Sequence, residues 1–348
     1  MFRTLLVSLI LCLATQAVAQ QLNTTTAAQE SAGLVKWMTI EEAMKAYDKA
    51  PKPLLIDFYT DWCGWCKHMM KTTYSDPGIA QYINNQFYPV KFNAETHDTI
   101  VFMGETFVNK GAGRRSTHDL AIRLLGNQQS YPSTIFMNDN FKFQLLSQGY
   151  LEVPKIEPLL IYTLENIFKT TPYETYKKYY DMTFSNDTAV ANAQLKLKRY
   201  NMNDALAMHK KKPRKILIDV YTEWCNSCKI MNRSVFTSPA VRDYINENYY
   251  LVDFNAEQKD MVNFKDKAYY PGDKGFHPFL LELLNNQVML PTLIFLDEDL
   301  KRIDAVPFFF TPEILKPVLT FYGDNAYKST SWPDYQKKQQ EEKERLKK

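Results

Sequence analysis

Two stretches of this chain nearly repeat each other. Residues 54–67 read LLIDFYTDWCGWCK, and residues 216–229, offset by 162 positions, read ILIDVYTEWCNSCK. The correspondence continues on both sides. Upstream, TIEEAMKAY (39–47) meets NMNDALAMH (201–209). Downstream, Tyr82-Ile83-Asn84 meets Tyr244-Ile245-Asn246, and FNAE (92–95) meets FNAE (254–257). Further on the offset falls to 159: His118 meets His277, LLGNQ (124–128) meets LLNNQ (283–287), and YPSTIFM (131–137) meets LPTLIFL (290–296). A three-residue deletion in the intervening loop accounts for the change. A chain that repeats itself element for element is two copies of one fold in tandem. Its 348 residues suit two domains of ordinary size.

Within each copy the patterning alternates. A short helix is expected over 40–49, and the apolar run Leu54–Tyr59 reads as a strand buried on both faces. The cysteine pair then opens a helix that carries Met69 and Met70. A helix over 77–85 and a strand over 88–93 follow, and TIVFMGETFVN (99–109) reads as a hairpin, expected near the rim of any site. A helix over 119–125, strands at 133–137 and 143–147, and a last helix over 155–168 complete the copy. The fold class is α/β: two tandem domains, each a central mixed sheet flanked by helices. They are placed at 36–169 and 198–328, with a helical linker over 170–197. The charged tail, 329–348, reads as a solvated helix or a frayed end. Gly149 is read as admitting another backbone, with Pro307 standing in its place in the second copy.

Residues 1–19 read as a secretory signal. Arg3 precedes an apolar run from Leu5 to Ala14, and Ala17-Val18-Ala19 ends it before Gln20. Residues 20–35 are small and polar and read as a flexible lead. The apolar run is too short to span a bilayer. The later greasy stretch at 279–296 is broken by Glu282, Asn285, Asn286 and Pro291. The mature chain is therefore expected to be exported and to lack a membrane span. With no C-terminal retention tetrapeptide, a bacterial periplasm is the expected compartment. A net charge of +3 and basic clusters as short as HKKKPRK (209–215) argue against a nucleic-acid partner.

Cys12 lies in the leader, so four of the five cysteines remain: Cys63, Cys66, Cys225 and Cys228. All fall in Cys-x-x-Cys pairs. A loop that small constrains little chain, so stability is a poor reason for closing it. Two chemistries remain. Each pair is half of a four-cysteine zinc site, although equivalent places in separate domains keep the pairs apart. Alternatively each pair exchanges disulfides. Exchange needs a thiolate, and a cysteine at a helix start faces free backbone N–H groups that favour negative charge. Cys63 and Cys225 stand at that place after a strand, and Cys66 and Cys228 lie one turn on. The first of each pair reads as the attacking sulfur, the second as the resolving one. That chemistry needs no cofactor and no metal.

The stretches DFYTDWCGWCK and DVYTEWCNSCK, with the later strand-opening prolines of SYPSTIF and MLPTLIF, resemble the thioredoxin superfamily over both repeats. The Gly-Trp dipeptide and the long segment after FNAE are similar to exported members, including the C-terminal domain of the thiol–disulfide interchange protein. The resemblance implies that Pro132 and Pro291 are cis, beside the active pair. Tyr131 and Leu290 would then offer backbone to an extended substrate. It implies that Trp62, Gly64, Trp65 and Trp224 face a partner. It also implies that Asp57 and Asp219 lie buried behind the disulfides, with Lys91 paired to Asp57, and help move the resolving thiol's proton. Partners implied are protein thiols and disulfides, with a membrane electron donor as a candidate. The likeness leans towards reduction or relay. A duplicated binding scaffold, redox-active in one half, is the alternative.

The halves are unequal. Where the first copy has Lys91 the second has Asp253. If Asp253 faces inward, two carboxylates share a poorly solvated place and the pKa of one rises strongly. If it faces solvent, they do not couple. Asn226 and Ser227 replace Gly64 and Trp65, and read as donors to a thiolate. His118 and His277 recur at a helix start, where a capping role outweighs a catalytic one.

Overall fold

The computed structural model describes residues 33–126, 129–184, 192, 194–273 and 275–346. The expected leader, 1–19, and most of the lead at 20–35 lie outside the described residues. The chain divides into two compact units, one ending at Leu164 and one starting at Glu165.

In the first unit, α1 (Ile40–Lys49) starts in a reciprocal cap between Thr39 and Glu42. Then come β1 (Leu54–Tyr59), α2 (Gly64–Lys71), α3 (Pro77–Gln86), β2 (Tyr88–Asn93), the hairpin β3 (Ile100–Phe102) and β4 (Glu105–Phe107), and α4 (Asp119–Leu125). The unit closes with β5 (Ser133–Asn138), β6 (Phe143–Gln148) and α5 (Val153–Leu164). The sheet order is β2-β1-β5-β6, with β1 parallel to β2 and antiparallel to β5. Ile56, Phe58, Val90, Phe92, Leu120 and Ile135 pack one face into a core. Burial on both faces explains why β1 is apolar throughout except at Asp57.

The second unit repeats this plan with an added strand and two further helices. It contains α6 (Tyr173–Phe184), β7 (Arg199–Tyr200), α7 (Met202–Lys211), β8 (Lys215–Tyr221), α8 (Asn226–Ile230, running into a π turn over Met231–Val235) and α9 (Pro239–Asn248). After these come β9 (Tyr249–Asn255), the hairpin β10 (Val262–Phe264) and β11 (Lys267–Tyr269), α10 (Pro278–Leu283), β12 (Thr292–Leu296), β13 (Arg302–Pro307), α11 (Pro312–Gly323) and α12 (Trp332–Leu346). The sheet order is β13-β12-β8-β9-β7. The extra strand β7 runs parallel to β9, where the first unit has only a single bridge, Met38 to Val90.

Two expectations change, and for the tail the helix is the alternative that holds. The helix expected to reach residue 168 stops at Leu164, because Asn166 turns left-handed at φ 56°. Asn325 does the same at φ 61° after α11. The repeat therefore extends beyond the sheet. LENIFKTTPYETYKK (164–178) matches GDNAYKSTSWPDYQK (323–337) at the offset of 159, and both run into a trailing helix. The tail is accordingly the helix α12, its first turn packed through Trp332 and Tyr335 on Phe321. Finally, Gly149 admits no neighbouring backbone: a Cβ there would meet nothing within 4 Å. It supplies φ 88°, and its counterpart is Phe308 at φ 83°, not Pro307. Both residues donate N–H to the carbonyl of the cis-proline, Pro132 or Pro291.

Candidate functional site

Strand β1 delivers the chain to the cysteines through a turn in which Cys63 N–H donates to Thr60 O at 3.1 Å; Cys225 and Thr222 repeat it at 3.2 Å. Cys63 then caps α2, its sulfur accepting from Cys66 N–H at 3.0 Å. Cys225 caps α8 in the same way at 3.2 Å. Each pair is closed as a disulfide, Cys63–Cys66 and Cys225–Cys228, with Cα atoms 5.3 Å apart. The sulfurs are nearly enclosed; Cys225 is 1% exposed. Tyr131–Pro132 and Leu290–Pro291 are cis.

Behind the first pair, Asp57 is 2% exposed. It faces Lys91 in register across β1 and β2, and the Tyr74 hydroxyl donates to it at 3.3 Å. Burial pushes its carboxyl up to about 7, while Lys91 and Tyr74 hold it down. Burial lowers Lys91, and Asp57 opposes that. The Lys91 ammonium stands 4.7 Å from the Tyr59 ring centre. Beside it a cavity of about 360 Å³ is lined by Cys66, Met70, Lys71 and Lys91, among others.

Behind the second pair the same acid has different company. Asp219 faces Asp253 in register, as the sequence allowed. Yet a cation stands against both: Arg199, on β7, hydrogen-bonds Asp253 and lies 3.9 Å from Asp219 Oδ2. Burial pushes Asp219 up to about 7, Arg199 pulls it down and Asp253 pushes it up. The second acid is thus not driven above the first. The positive charge has moved one strand outward, from the place of Lys91 to the place of Trp37. Tyr74 becomes Phe236, whose ring lies 5.7 Å from the Arg199 guanidinium. Arg199 and Tyr74 were missed by sequence reasoning. The offset of 162 held the signal, since Trp37/Arg199, Tyr74/Phe236 and Lys91/Asp253 all differ together.

At the first rim Trp62 and Trp65 are exposed, Trp65 at 62%. Trp62 donates to Glu95 at 2.8 Å, lies 5.2 Å from the Arg115 guanidinium, and meets Tyr131 edge-on. The loop after the hairpin reaches this rim through Arg115. Trp65 leans on Tyr150, ring centres 5.6 Å apart, and Gly64 leaves open space beside it. At the second rim Trp224 is also exposed and donates to Glu257 at 3.3 Å. Ser227 is fully buried there, its hydroxyl 3.6 Å from Cys225 Sγ. That hydroxyl and the backbone N–H groups of Asn226 and Ser227 donate to Glu165, a residue the sequence did not single out. His118 and His277 cap α4 and α10, each Nδ1 accepting from the N–H two residues on and each Nε2 bonded to a carbonyl, of Asp98 or Asp260.

A family model named Thioredox_DsbH, described as a protein of unknown function, DUF255, matches residues 20–152, and a thioredoxin-like model matches 198–281. Both repeats are thus similar to the thioredoxin family, each through its own model. It is similar to the thiol:disulfide interchange protein DsbD of Salmonella typhi, 42% identical over 48 residues, which is 14% of this chain and 8% of that protein. The chain thus spans a small fraction of the curated relatives it matches. Among solved structures, the C-terminal domain of DsbD from Neisseria meningitidis in the reduced form is 18% identical, with a TM-score of 0.24 over 39% of this chain and 96% of that one. A thioredoxin from Thermus thermophilus is 16% identical, with a TM-score of 0.27 over 36% and 84%.

Proposed function

We propose that the protein is an exported thiol–disulfide oxidoreductase that reduces or exchanges disulfides in protein partners, in a bacterial periplasm. What supports this is the first site: a closed Cys-x-x-Cys at a helix start, Trp62 edge-on to Tyr131 of the cis Tyr131–Pro132 bond, and, on the strand leading to the pair, a buried carboxyl raised to about 7. Export rests on the leader-like residues 1–19.

The chemistry starts from the reduced pair. Cys63 thiolate attacks one sulfur of a partner disulfide, and the partner's other sulfur leaves as a thiolate that takes up a proton. Cys66 gives its proton to Asp57, which is a suitable acceptor near neutral pH because burial has raised it. Cys66 then attacks Cys63 Sγ, and the second partner sulfur departs. The partner gains two electrons and the enzyme pair becomes a disulfide. An external dithiol, of the class a membrane electron donor would present, restores it. Trp62, Trp65 and Tyr131 form the apolar surface for the partner, and the Tyr131 backbone receives an extended segment. Cys225, Cys228 and Asp219 serve the same roles at the second site, with Trp224 and Leu290 at its rim.

The test is reduction of a disulfide-bonded test protein by dithiothreitol with the full chain as catalyst. Cys63→Ser with Cys225→Ser should abolish catalysis, a loss of ~100-fold or more. Cys66→Ser should trap the partner as a mixed disulfide on Cys63. Unchanged turnover and no trapping would overturn the reading.

A further inference from the structure

We propose that Glu165 restrains the second Cys-x-x-Cys site, by occupying the backbone donors beside Cys225 and setting a carboxylate against its sulfur. One carboxylate oxygen accepts from Asn226 N–H at 3.1 Å. The other accepts from Ser227 N–H at 2.7 Å and from the Ser227 hydroxyl. That second oxygen lies 4.0 Å from Cys225 Sγ. Cys228 N–H stays on Cys225 Sγ as its counterpart does in the first site, but at an open helix start the N–H groups of Asn226 and Ser227 would add to the stabilisation of a thiolate. Here an anion already holds them, and a second anion at Cys225 must form against it. A partner sulfur approaching Cys225 must also move the carboxylate aside.

The carboxylate does not hang on a loose side chain. Glu165 opens a segment fixed to the second unit along its length. Thr170 donates its hydroxyl to Phe309 O, and the Tyr176 ring meets Phe309 edge-on at 6.0 Å. Tyr179 donates to Glu313 at 3.2 Å, and the hydroxyls of Thr183 and Ser234 lie 2.7 Å apart. Helix α6 thus lies on α8 and its π turn, the elements that carry the disulfide. Burial raises the Glu165 carboxyl above its ordinary value, and the hydrogen bonds from Ser227 and Asn226 and the charge of Lys229, on α8, oppose that. Asp324, which holds the place of Glu165 in the second repeat, accepts instead from the Tyr244 hydroxyl. Among the described residues, no carboxylate accepts from Gly64 or Trp65 N–H in the first unit. The substitution of Gly-Trp by Asn-Ser is thereby explained. A buried hydroxyl at 227 binds Glu165, whereas an indole at 65 is free to lean outward on Tyr150.

The restraint predicts two unequal thiols in one chain. Cys225 should titrate above Cys63 and react more slowly at neutral pH, until the segment from 165 to 184 shifts. This rests on the redox reading given above, but its test needs no partner and no turnover. The full chain is reduced with dithiothreitol, exchanged out of it, and alkylated with iodoacetamide from pH 5 to 10, each cysteine being followed by mass spectrometry. In Glu165→Gln the apparent pKa of Cys225 should fall by about one unit, and its alkylation at pH 7 should rise about three- to tenfold. Cys63 should not change. Ser227→Ala, which removes one anchor of the carboxylate, should shift Cys225 the same way by less. If Glu165→Gln melts with wild type and leaves the Cys225 profile where it was, the proposal is overturned. If Glu165→Gln does not fold, an unchanged Cys225 profile in Ser227→Ala overturns it equally. Loss of all turnover with these shifts intact would instead count against the enzymatic reading alone.

Discussion

A buried carboxyl is costly to ionise, and Asp57 shows the consequence in stability as well as in proton transfer. Its folded pKa is about 7 against an ordinary 3.8. Below about pH 4 both folded and unfolded chains hold this proton, and its contribution is complete. Between pH 4 and 7 the unfolded chain releases the proton while the folded chain keeps it, so stability falls as pH rises. Above 7 both are ionised and the loss is complete. Asp57→Asn should remove that slope. In denaturant titrations of the oxidised chain, the variant should exceed wild type by roughly 3 kcal/mol at pH 8, and the gap should close towards pH 4. Parallel pH curves would show that Asp57 ionises freely. The cysteine pairs were legible from their spacing, and the cis-prolines and Asp57 through the resemblance that the motifs around them carry. Tyr74, Arg199 and Glu165 were not. Each meets its partner across a long stretch of chain, and only the fold brings them together.

At the scale of elements, the second site depends on a strand of two residues. Strand β7 is too short for any alternation to show in the sequence, yet it places Arg199 against Asp219 and Asp253. Without that cation, two carboxylates would face each other with nothing to offset them. Arg199→Met keeps most of the stem and removes the charge. It should destabilise the second unit by about 1–3 kcal/mol at pH 8, less at pH 5 where one carboxyl takes up a proton. Adding Asp253→Lys restores the arrangement of the first site and should recover most of the loss. If denaturation at pH 8 showed the double variant no better than Arg199→Met, the cation would have another role. The long helices and strands were readable from their patterning. The end of α5 was not, because a single left-handed Asn166 stops an apolar pattern that continues to Phe168. The same holds for α12, where packing of Trp332 and Tyr335 on Phe321 anchors a helix whose sequence reads as polar all round.

For the whole molecule, the duplication made the fold readable and its inequalities define what the two sites do. Stabilising a thiolate favours the reduced form and makes a disulfide more oxidising; opposing it does the reverse. In both pairs the second cysteine's N–H bonds the first sulfur, but at the start of the second helix Glu165 holds two further N–H groups, those of Asn226 and Ser227. The second pair should therefore have the lower reduction potential, so that electrons move downhill from Cys225–Cys228 to Cys63–Cys66. The measurement is the potential of each pair in glutathione buffers at pH 7, with the other pair changed to serine. A tenfold difference in equilibrium constant corresponds to about 30 mV, so a gap of that size or more is expected, with the second pair more reducing. Glu165→Gln should narrow it from the second pair's side alone. Such an order would make the second pair the stronger reductant of the two. The reverse order, or a gap indifferent to Glu165, would show that the carboxylate does not set the second pair's potential.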